Sequence, residues 1–360
     1  MKIIAILLFN LSIMATTVVT YNAGLAHTYV PYASERISYI VDALKKESAD
    51  VLCLQEVWRA EDRAYLIKEL SSEYQFTHFE KVEQNYATKK PVCKLKNLFG
   101  KKKFVTCTMK KCKKKSGDDF TSCVINECRE PLNRLKNDNR QCAKALMAQV
   151  GKSSLKSIWA VINPFKAASL FSYGGGNGLL LLSKKPISNK SVVDMSDVST
   201  LNRRAALTAD VEDLGTVKCA HLTADLDLDA PYAGNFSSWS QENKVQVERL
   251  VKSARAEKSI VMGDFNCGPE MLSYNLKGEL ANNCEILSNN LYDSLSEINP
   301  ECTFCSSNIL ADVKDDMMID HIYTSDDLRP RSAEVIFKEK IIIEGEETNL
   351  SDHYGIKANF

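Results

Sequence analysis

The sequence predicts an α/β protein in which helices pack outside two β-sheets. Short apolar runs typical of buried strands alternate with segments whose apolar residues recur every three to four positions, as on one face of a helix. The chain has 360 residues, of which 44% are hydrophobic and 26% are charged. That length is enough to bury the core of one large domain or of two ordinary domains.

Both patterns place elements along the chain. A strand at 18–21 precedes a helix at 35–46, a buried strand within DVLCLQEVW and a helix at 60–70. Residues 242–256 are predicted as the helix before the strand in SIVMGDFN. The remaining strand candidates are GLLLLS, ALTADV, TVKCAHL, MIDHIYTS, EVIFKEKIII and GIKANF.

The first 15 residues, MKIIAILLFNLSIMA, have the pattern of a signal peptide. Lys2 precedes an apolar run that ends at the small residue Ala15. The run is too short to cross a membrane, and no other stretch approaches about 18 apolar residues, so no transmembrane helix is predicted. A first core strand is the alternative interpretation. We therefore predict a signal peptide at 1–15 and a secreted or periplasmic mature protein at 16–360, which we expect to be a monomer.

Residues 86–156 are strongly basic and rich in cysteine. They hold 19 Lys and Arg against 5 Asp and Glu, although the formal net charge of the whole chain is zero. Six of the twelve cysteines fall here, namely Cys93, Cys107, Cys112, Cys123, Cys128 and Cys142. We predict an insertion that disulfides hold in shape, because the segment has few large apolar residues. A zinc site is the alternative, which no paired CxxC motif or nearby His supports.

Four further cysteines have distinct sequence surroundings. Cys53 and Cys219 lie in apolar strand patterns, and we predict that both are buried free thiols. Cys302 and Cys305 form the only CxxC motif, which by itself does not indicate redox catalysis. The high number of cysteines favours an oxidising compartment.

Polar residues recur at the ends of the predicted strands. In SIVMGDFNCGPE, Asp264 and Asn266 follow an apolar run and alternate to the same side of the chain. Burial of such groups costs free energy unless they are paired, solvated or bound to something, so we expect these strand ends to converge on one pocket. The other residues in this position are Asn22, Glu56, His221, Asp320, His321, Asp352 and His353.

These residue types indicate metal-assisted hydrolysis. Oxygen donors such as Glu56 and Asp264 suit Mg²⁺, with Mn²⁺ or Ca²⁺ as alternatives, and do not suit a soft metal. The sequence contains no HExxH, P-loop, dinucleotide or GxSxG motif. A hard cation beside two His and several carboxylates suits attack of water on a phosphate ester. The cation neutralises phosphate charge, an Asp or an Asp–His pair activates water, and an imidazolium stabilises the transition state.

Seven segments resemble, in order, the motifs of the endonuclease/exonuclease/phosphatase superfamily. They are TYNAGL, LCLQEVW, GLLLLSKKPI, CAHLTA, MGDFN, MIDHIYT and SDHYGI. Each motif is weak alone, but LQE, GDxN and SDH in this order are highly specific together. The resemblance covers 16–360 apart from the insertion at about 86–156. It implies a four-layered α/β/β/α sandwich of two mixed β-sheets flanked by helices.

The resemblance also implies which residues bind metal and substrate. Glu56 would hold the Mg²⁺, and Asn22 would help to place the metal and the phosphate. His221 would contact the scissile phosphate, and Asn266 would lie beside the reacting groups. The family usually has Thr or Ser before this His, whereas this chain has Ala220, which puts one supporting hydrogen bond in doubt.

A second set of roles concerns proton transfer. Asp264 would align or activate the water, and Asp320 would orient an imidazole or help the metal. His353 would be the general acid or base, held by Asp352. His321 stands where relatives often have Tyr or Arg, so it is either structural or substrate-facing.

The superfamily cleaves DNA, RNA, inositol phosphates and sphingomyelin, so the fold does not choose the substrate. YNAGL, LCLQEVW and GNGLLLLSKKPI look closest to neutral and bacterial sphingomyelinases. We therefore predict a secreted sphingomyelinase-like phospholipase C, with a secreted deoxyribonuclease I-like endonuclease as the alternative.

Basic and aromatic residues in and after the insertion are candidate contacts with a phospholipid membrane or with nucleic acid. The alternatives without a binding role are a basic surface exposed only to solvent and an amphipathic helix packed on the core. The candidate contact residues are Lys101, Lys102, Lys103, Lys113, Lys114, Lys115, Trp159 and Phe165.

Overall fold

The computed structural model describes residues 16–27, 29–81, 90–115, 117–149, 154–227, 230–254 and 258–360. The predicted signal peptide at 1–15 lies outside them. Within these ranges, no helix has both the length and the apolar character that a membrane span requires.

Two six-stranded mixed sheets form the centre of the described chain. One sheet has the order β11-β14-β1-β2-β4-β3, the other has the order β5-β6-β7-β8-β10-β9, and β12 pairs with β13 in a separate hairpin. The strands are β1 (Thr17–Asn22), β2 (Val51–Gln55), β3 (Phe76–His78), β4 (Leu180–Ser183), β5 (Ile187–Asp194), β6 (Ala205–Val211), β7 (Gly215–His221), β8 (Ser259–Asp264), β9 (Tyr292–Asp293), β10 (Asp320–Thr324), β11 (Ser332–Ile336), β12 (Lys340–Ile343), β13 (Glu346–Asn349) and β14 (Gly355–Asn359).

Helices cover the outer faces of both sheets. Val18 faces the second sheet across the central core, whereas its neighbour Val19 packs in the outer layer with Ile40 and Leu44, as the two-residue period of a strand requires. The predicted four-layered sandwich is confirmed. The helices are α1 (Ala33–Glu47), α2 (Ala60–Leu70), α3 (Leu95–Leu98), α4 (Phe104–Lys111), α5 (Gly117–Asp138), α6 (Arg140–Met147), α7 (Ser154–Ile162), α8 (Trp239–Ala254), α9 (Ala281–Ser288) and α10 (Ser294–Ile298).

The strand directions bring the polar strand ends to one edge. β1 and β2 are parallel, so Asn22 at the end of β1 lies opposite Gln55, directly before Glu56. β7 and β8 are also parallel and place His221 opposite Asp264. β10 is antiparallel to β8, so its first residue, Asp320, lies opposite Asp264 as well. Polar residues far apart in sequence therefore meet at the same end of the sandwich.

The basic insertion has its own small core. Disulfides join Cys93 to Cys142, Cys107 to Cys128 and Cys112 to Cys123, which confirms the prediction that disulfides brace this segment. The core is more apolar than the composition suggested, because α4 and α5 bury large side chains around the cystines. The boundaries at about 86 and 156 stay a prediction: residue 86 lies outside the described ranges, and residue 156 lies within α7, which packs on the insertion core.

The prediction of free thiols at Cys53 and Cys219 is wrong. The two residues form a disulfide between β2 of one sheet and β7 of the other, with their Cα atoms 5.3 Å apart. An apolar strand pattern does not distinguish a buried thiol from a buried cystine, because both are apolar and compact. Cys302 is likewise bonded to Cys305, and within the described ranges no cysteine is free.

Candidate functional site

The polar strand ends converge on the carboxylate of Asp264, which is buried at the end of β8. Its Oδ2 atom accepts a hydrogen bond from Asn22 Nδ2 at 2.9 Å. The same oxygen lies 3.3 Å from His221 Nε2 and 3.9 Å from His353 Nε2. Its Oδ1 atom accepts from the backbone N–H of Asn266 at 2.9 Å. Four other predicted site residues therefore surround this single carboxylate.

The turn after β8 fixes this arrangement. A Cβ atom on Gly263 would lie 1.9 Å from the backbone oxygen of Ala220, so only glycine lets β8 approach β7 this closely here. Asn266 has a left-handed backbone with φ of 50°, which Asn tolerates better than most residues. Its side-chain amide donates to the backbone oxygen of Leu222 at 3.0 Å. Asn266 thus ties the turn to the chain that follows β7.

His353 is held by Asp320. Its Nδ1 atom lies 2.8 Å from Asp320 Oδ2, and both side chains are buried. The predicted partner, Asp352, is not hydrogen-bonded to the ring; its Oδ1 atom accepts instead from Ser351 Oγ at 3.0 Å. The role of orienting an imidazole, which the resemblance offered for Asp320, fits this geometry, and the predicted pairing of Asp352 with His353 does not.

Glu56 is the unpaired carboxylate of the site. It follows β2 with a left-handed φ of 59°, and burial and neighbouring charges, not hydrogen bonds from described residues, are the influences on its carboxylate. Burial, and next the charge of Asp352, raise the pKa of Glu56 to about 7. Asp264 adds to this effect, and His353 opposes it. A carboxylate whose ionised form is disfavoured by burial and by neighbouring negative charge is stabilised by a cation placed beside it.

The donor set therefore fits a hard divalent cation. Glu56 and Asp352 offer carboxylate oxygens, and Asn22 Oδ1 accepts one bond from the backbone N–H of Gly24 at 3.0 Å and keeps a second lone pair. Such oxygens suit Mg²⁺, Mn²⁺ or Ca²⁺.

A second group of potential ligand atoms lies nearby. Atoms of Asp264, Asp320 and His353 are within 4.8 Å of one another. These groups already pair with each other or with neighbouring residues, so a cation would have to displace existing contacts. We favour the Glu56 side of the site, because its carboxylate has no such contacts to lose.

The two imidazoles differ in protonation. Burial, and next the positive charge of Arg204, lower the pKa of His221 to about 4, which leaves it neutral near pH 7. Burial would also lower the pKa of His353, but the charges of Asp320 and Asp264 outweigh it and raise that pKa above its usual range. His353 is therefore the protonated imidazole of the pair, and His221 is a neutral hydrogen-bonding group. Such a split within one site is typical of acid–base chemistry.

Arg204 is a site residue that the sequence reasoning missed. Its side chain is buried, and its Nε and Nη1 atoms have no hydrogen-bond partner among the residues described. The guanidinium lies 6.0 Å from the ring centre of Trp58 and within electrostatic range of Asp264 and Glu56. The other site residues lie at strand ends, whereas Arg204 directly precedes β6, whose antiparallel pairing starts opposite His221. The RR pair before ALTADV was the available signal.

His321 is structural, which decides between the two roles left open for it. The ring is fully buried, its Nδ1 atom lies 2.8 Å from Asp293 Oδ2, and its Nε2 atom lies 2.9 Å from the backbone oxygen of Cys267. Both ring nitrogens are thus occupied. Neighbours on a strand point to opposite faces, so Asp320 faces the site and His321 faces away from it.

The candidate contact residues of the insertion lie on its surface. Trp159 is 58% exposed and Phe165 is 87% exposed. Leu155, one helical turn before Trp159, is 78% exposed. α7 buries Val161 against the insertion core but leaves this apolar face uncovered, so the alternative of a helix packed on the core accounts for only part of it. The lysines at 101–103 and 113–115 are exposed or half-buried, and Lys103 pairs with Asp138.

Solved structures share the fold over 96% of the chain. Sphingomyelinase C from Streptomyces griseocarneus has a TM-score of 0.51 at 13% identity, covering 96% of this chain and 99% of that chain. Truncated Caenorhabditis elegans TDP2 has a TM-score of 0.52 at 14% identity, with 96% and 98% covered. The 3′ phosphatase NExo from Neisseria, bound to a product DNA hairpin, has a TM-score of 0.52 at 14% identity, with 96% and 99% covered. Likeness at these identities shows the fold alone.

Family membership is shown by the sequence and not by the solved structures. No curated protein sequence matches the chain. The sequence model of the Endonuclease/Exonuclease/phosphatase family, however, matches residues 19–353 and so includes every site residue described above. The chain belongs to the Endonuclease/Exonuclease/phosphatase family.

Proposed function

We propose that this protein is a secreted, divalent-metal-dependent phosphodiesterase of the sphingomyelinase-like phospholipase C type. Members of its family are hydrolases that act on phosphoester bonds. The observation that carries the proposal is the pairing of Asp264 with a protonated His353 and a neutral His221, next to the unpaired Glu56. Six disulfides support an oxidising compartment, and hence secretion.

Glu56 would hold the cation, with Asp352 and Asn22 beside it. Mg²⁺ is the proposed ion, and Mn²⁺ or Ca²⁺ would suit the same oxygens. When bound, the cation would neutralise charge on the phosphate and so favour attack at phosphorus.

The chain's own side chains would move the protons. Asp264 would align a water molecule and take its proton as the water oxygen bonds to phosphorus. The bond from phosphorus to the leaving oxygen would break, and His353 would give that oxygen a proton while Asp320 keeps the ring in place. The 3.9 Å between Asp264 Oδ2 and His353 Nε2 is short enough for the proton to return after a small movement.

Two further groups would stabilise the negative charge that develops on the phosphate, and a third holds Asp264 in place. Arg204 supplies a permanent positive charge, and its unpaired N–H groups need acceptors. His221 supplies a neutral N–H donor, and Asn266 supplies the backbone bond that fixes Asp264.

The insertion surface favours a lipid substrate. The exposed apolar side chains Leu155, Trp159 and Phe165 lie at the end of the strongly basic segment and directly after it in the chain, and this combination suits adsorption to a bilayer with anionic lipids. A deoxyribonuclease is the second candidate, because the same lysines would suit a phosphate backbone. Exposed aliphatic and aromatic groups have no evident use on the backbone of duplex DNA.

A three-substrate assay tests this choice. Lys101, Lys102, Lys103, Lys113, Lys114 and Lys115 are changed to Gln, and hydrolysis is measured on sphingomyelin vesicles containing anionic lipid, on duplex DNA and on bis-p-nitrophenyl phosphate. Vesicle hydrolysis should fall, because each lysine near an anionic surface contributes about 1 kcal/mol of binding. The small substrate should be hydrolysed at the original rate.

Phe165→Ala and Leu272→Ala form a matched pair that tests how an exposed apolar side chain contributes to vesicle binding. Both side chains are exposed, at 87% and 82%, but only Phe165 follows α7 beside the insertion. Phe165→Ala should weaken vesicle binding and Leu272→Ala should not. Cleavage of DNA without cleavage of sphingomyelin by the unmodified protein would overturn the lipid proposal in favour of the nuclease.

A further inference from the structure

Tyr173 occupies a costly conformation beside the site. Its φ of 51° and ψ of 27° are left-handed, which a bulky residue rarely adopts. Its hydroxyl is buried and has no hydrogen-bond partner in the described part of the chain. Each of these features costs free energy, and strained residues with unsatisfied polar groups cluster at functional sites.

Trp58 fixes the ring of Tyr173. The two rings are stacked, with centroids 4.8 Å apart and planes at 8°. Trp58 is itself immobilised against Gly178, where an added Cβ atom would lie 2.8 Å from the indole. The ring centre of Trp58 is 6.0 Å from that of His221 and 6.0 Å from the guanidinium carbon of Arg204. Tyr173 is therefore held at a defined place relative to the groups that would face the phosphate.

The hydroxyl of Tyr173 lies within electrostatic range of Glu56. After burial, the negative charge of Glu56 is the next cause that raises the pKa of Tyr173, so the two groups are within electrostatic range. The hydroxyl therefore keeps its proton near neutral pH and remains a donor. No described residue supplies the acceptor oxygen that this donor needs.

We propose that Tyr173 contacts the substrate by donating its hydroxyl hydrogen to an oxygen of the bound phosphodiester, on the side of the site formed by Glu56. The inference rests on the proposed phosphodiesterase function and adds a binding residue to it. Trp58 is the positioning residue, because it holds the ring of Tyr173 by stacking against it.

Tyr74 provides a matched control. It is also buried, and its hydroxyl also lacks a partner among the residues described. It packs in the outer layer with α1 and α2, beneath the ammonium group of Lys184, and its backbone is not left-handed. Tyr74 therefore represents a tyrosine whose hydroxyl is buried and unpaired but whose ring packs in the outer layer.

The test compares Tyr173→Phe with Tyr74→Phe. We expect Tyr173→Phe to lower kcat/KM on bis-p-nitrophenyl phosphate about tenfold, which is the scale for one hydrogen bond to a charged group. Binding of inorganic phosphate, followed by tryptophan fluorescence in a Trp159→Phe background, should weaken by a similar factor. The thermal midpoint should not fall, and Tyr74→Phe should leave kcat/KM and phosphate affinity unchanged.

Failure of the Tyr173 assignment can be distinguished from failure of the proposed function. Unchanged phosphate affinity and unchanged kcat/KM in a folded Tyr173→Phe variant would overturn the assignment of Tyr173 alone. A wild-type protein that neither binds phosphate nor hydrolyses any phosphodiester would overturn the proposed function, and this inference with it.

Discussion

His353→Asn is expected to lower kcat by a factor of about 10² or more, the usual scale for loss of a general acid or base. Asn can still donate a hydrogen bond to Asp320 but cannot carry a proton to the leaving oxygen. The measurement is kcat for bis-p-nitrophenyl phosphate at saturating metal, where lipid or DNA binding does not contribute. Asp320→Asn should lower kcat in the same direction, because the ring loses the carboxylate that holds and charges it.

His321→Asn is the matched control for this prediction. The Nδ1 atom of His321 is 2.8 Å from Asp293, the same distance that joins His353 to Asp320. Both pairs are buried, and both histidines are next to an aspartate in sequence. His321→Asn should lower the free energy of unfolding but leave kcat per folded molecule close to the original value. Equal losses of kcat in the two histidine variants would mean that the imidazoles are wrongly assigned.

Asp264→Asn is the second change with a large expected effect, a loss of about 10²–10⁴ in kcat. The amide keeps the size of the carboxylate and an oxygen that can accept from Asn22 or from the backbone N–H of Asn266. It loses the negative charge that aligns the water and accepts its proton. The variant should therefore fold and should remain inactive at every metal concentration tested.

Asp293→Asn is the control for Asp264→Asn. Asp293 is a buried aspartate bonded to an imidazole, but it lies at β9 and faces His321. Its loss should reduce stability and leave kcat within a small factor. An Asp264→Asn variant that retains most of its kcat would remove Asp264 from the proposed chemistry.

The strand-end pattern allowed the grouping of site residues to be predicted. A polar residue that directly follows an apolar strand lies at the carboxyl end of that strand. The parallel pairs β1–β2 and β7–β8 place their carboxyl ends at the same edge of a sheet, so such residues meet there. The pattern did not reveal which acid faces which imidazole. Asp352 is adjacent to His353 in sequence, yet Asp320, 33 positions away, makes the contact. Only the pairing of β10 with β8 and the path of the following chain decide this.

Arg204 and the Cys53–Cys219 disulfide were beyond the reach of the same reasoning. Arg204 directly precedes a strand, and only the antiparallel register of β6 with β7 shows that the start of this strand meets the site. Cys53 and Cys219 belong to different sheets, and the packing of one sheet on the other brings their sulfurs together. Both features depend on contacts between elements, which periodicity within one element does not specify.

Metal dependence is the central claim, and isothermal titration with Mg²⁺ after EDTA treatment, combined with activity on bis-p-nitrophenyl phosphate, tests it most directly. We predict that the treated protein is inactive, that Mg²⁺ restores it, and that Glu56→Gln weakens Mg²⁺ binding at least about tenfold, because one anionic ligand becomes neutral. Glu248→Gln, on the exposed side of α8, should bind Mg²⁺ as the unmodified protein does. Full phosphodiesterase activity in EDTA, or unchanged Mg²⁺ affinity in Glu56→Gln, would contradict the account.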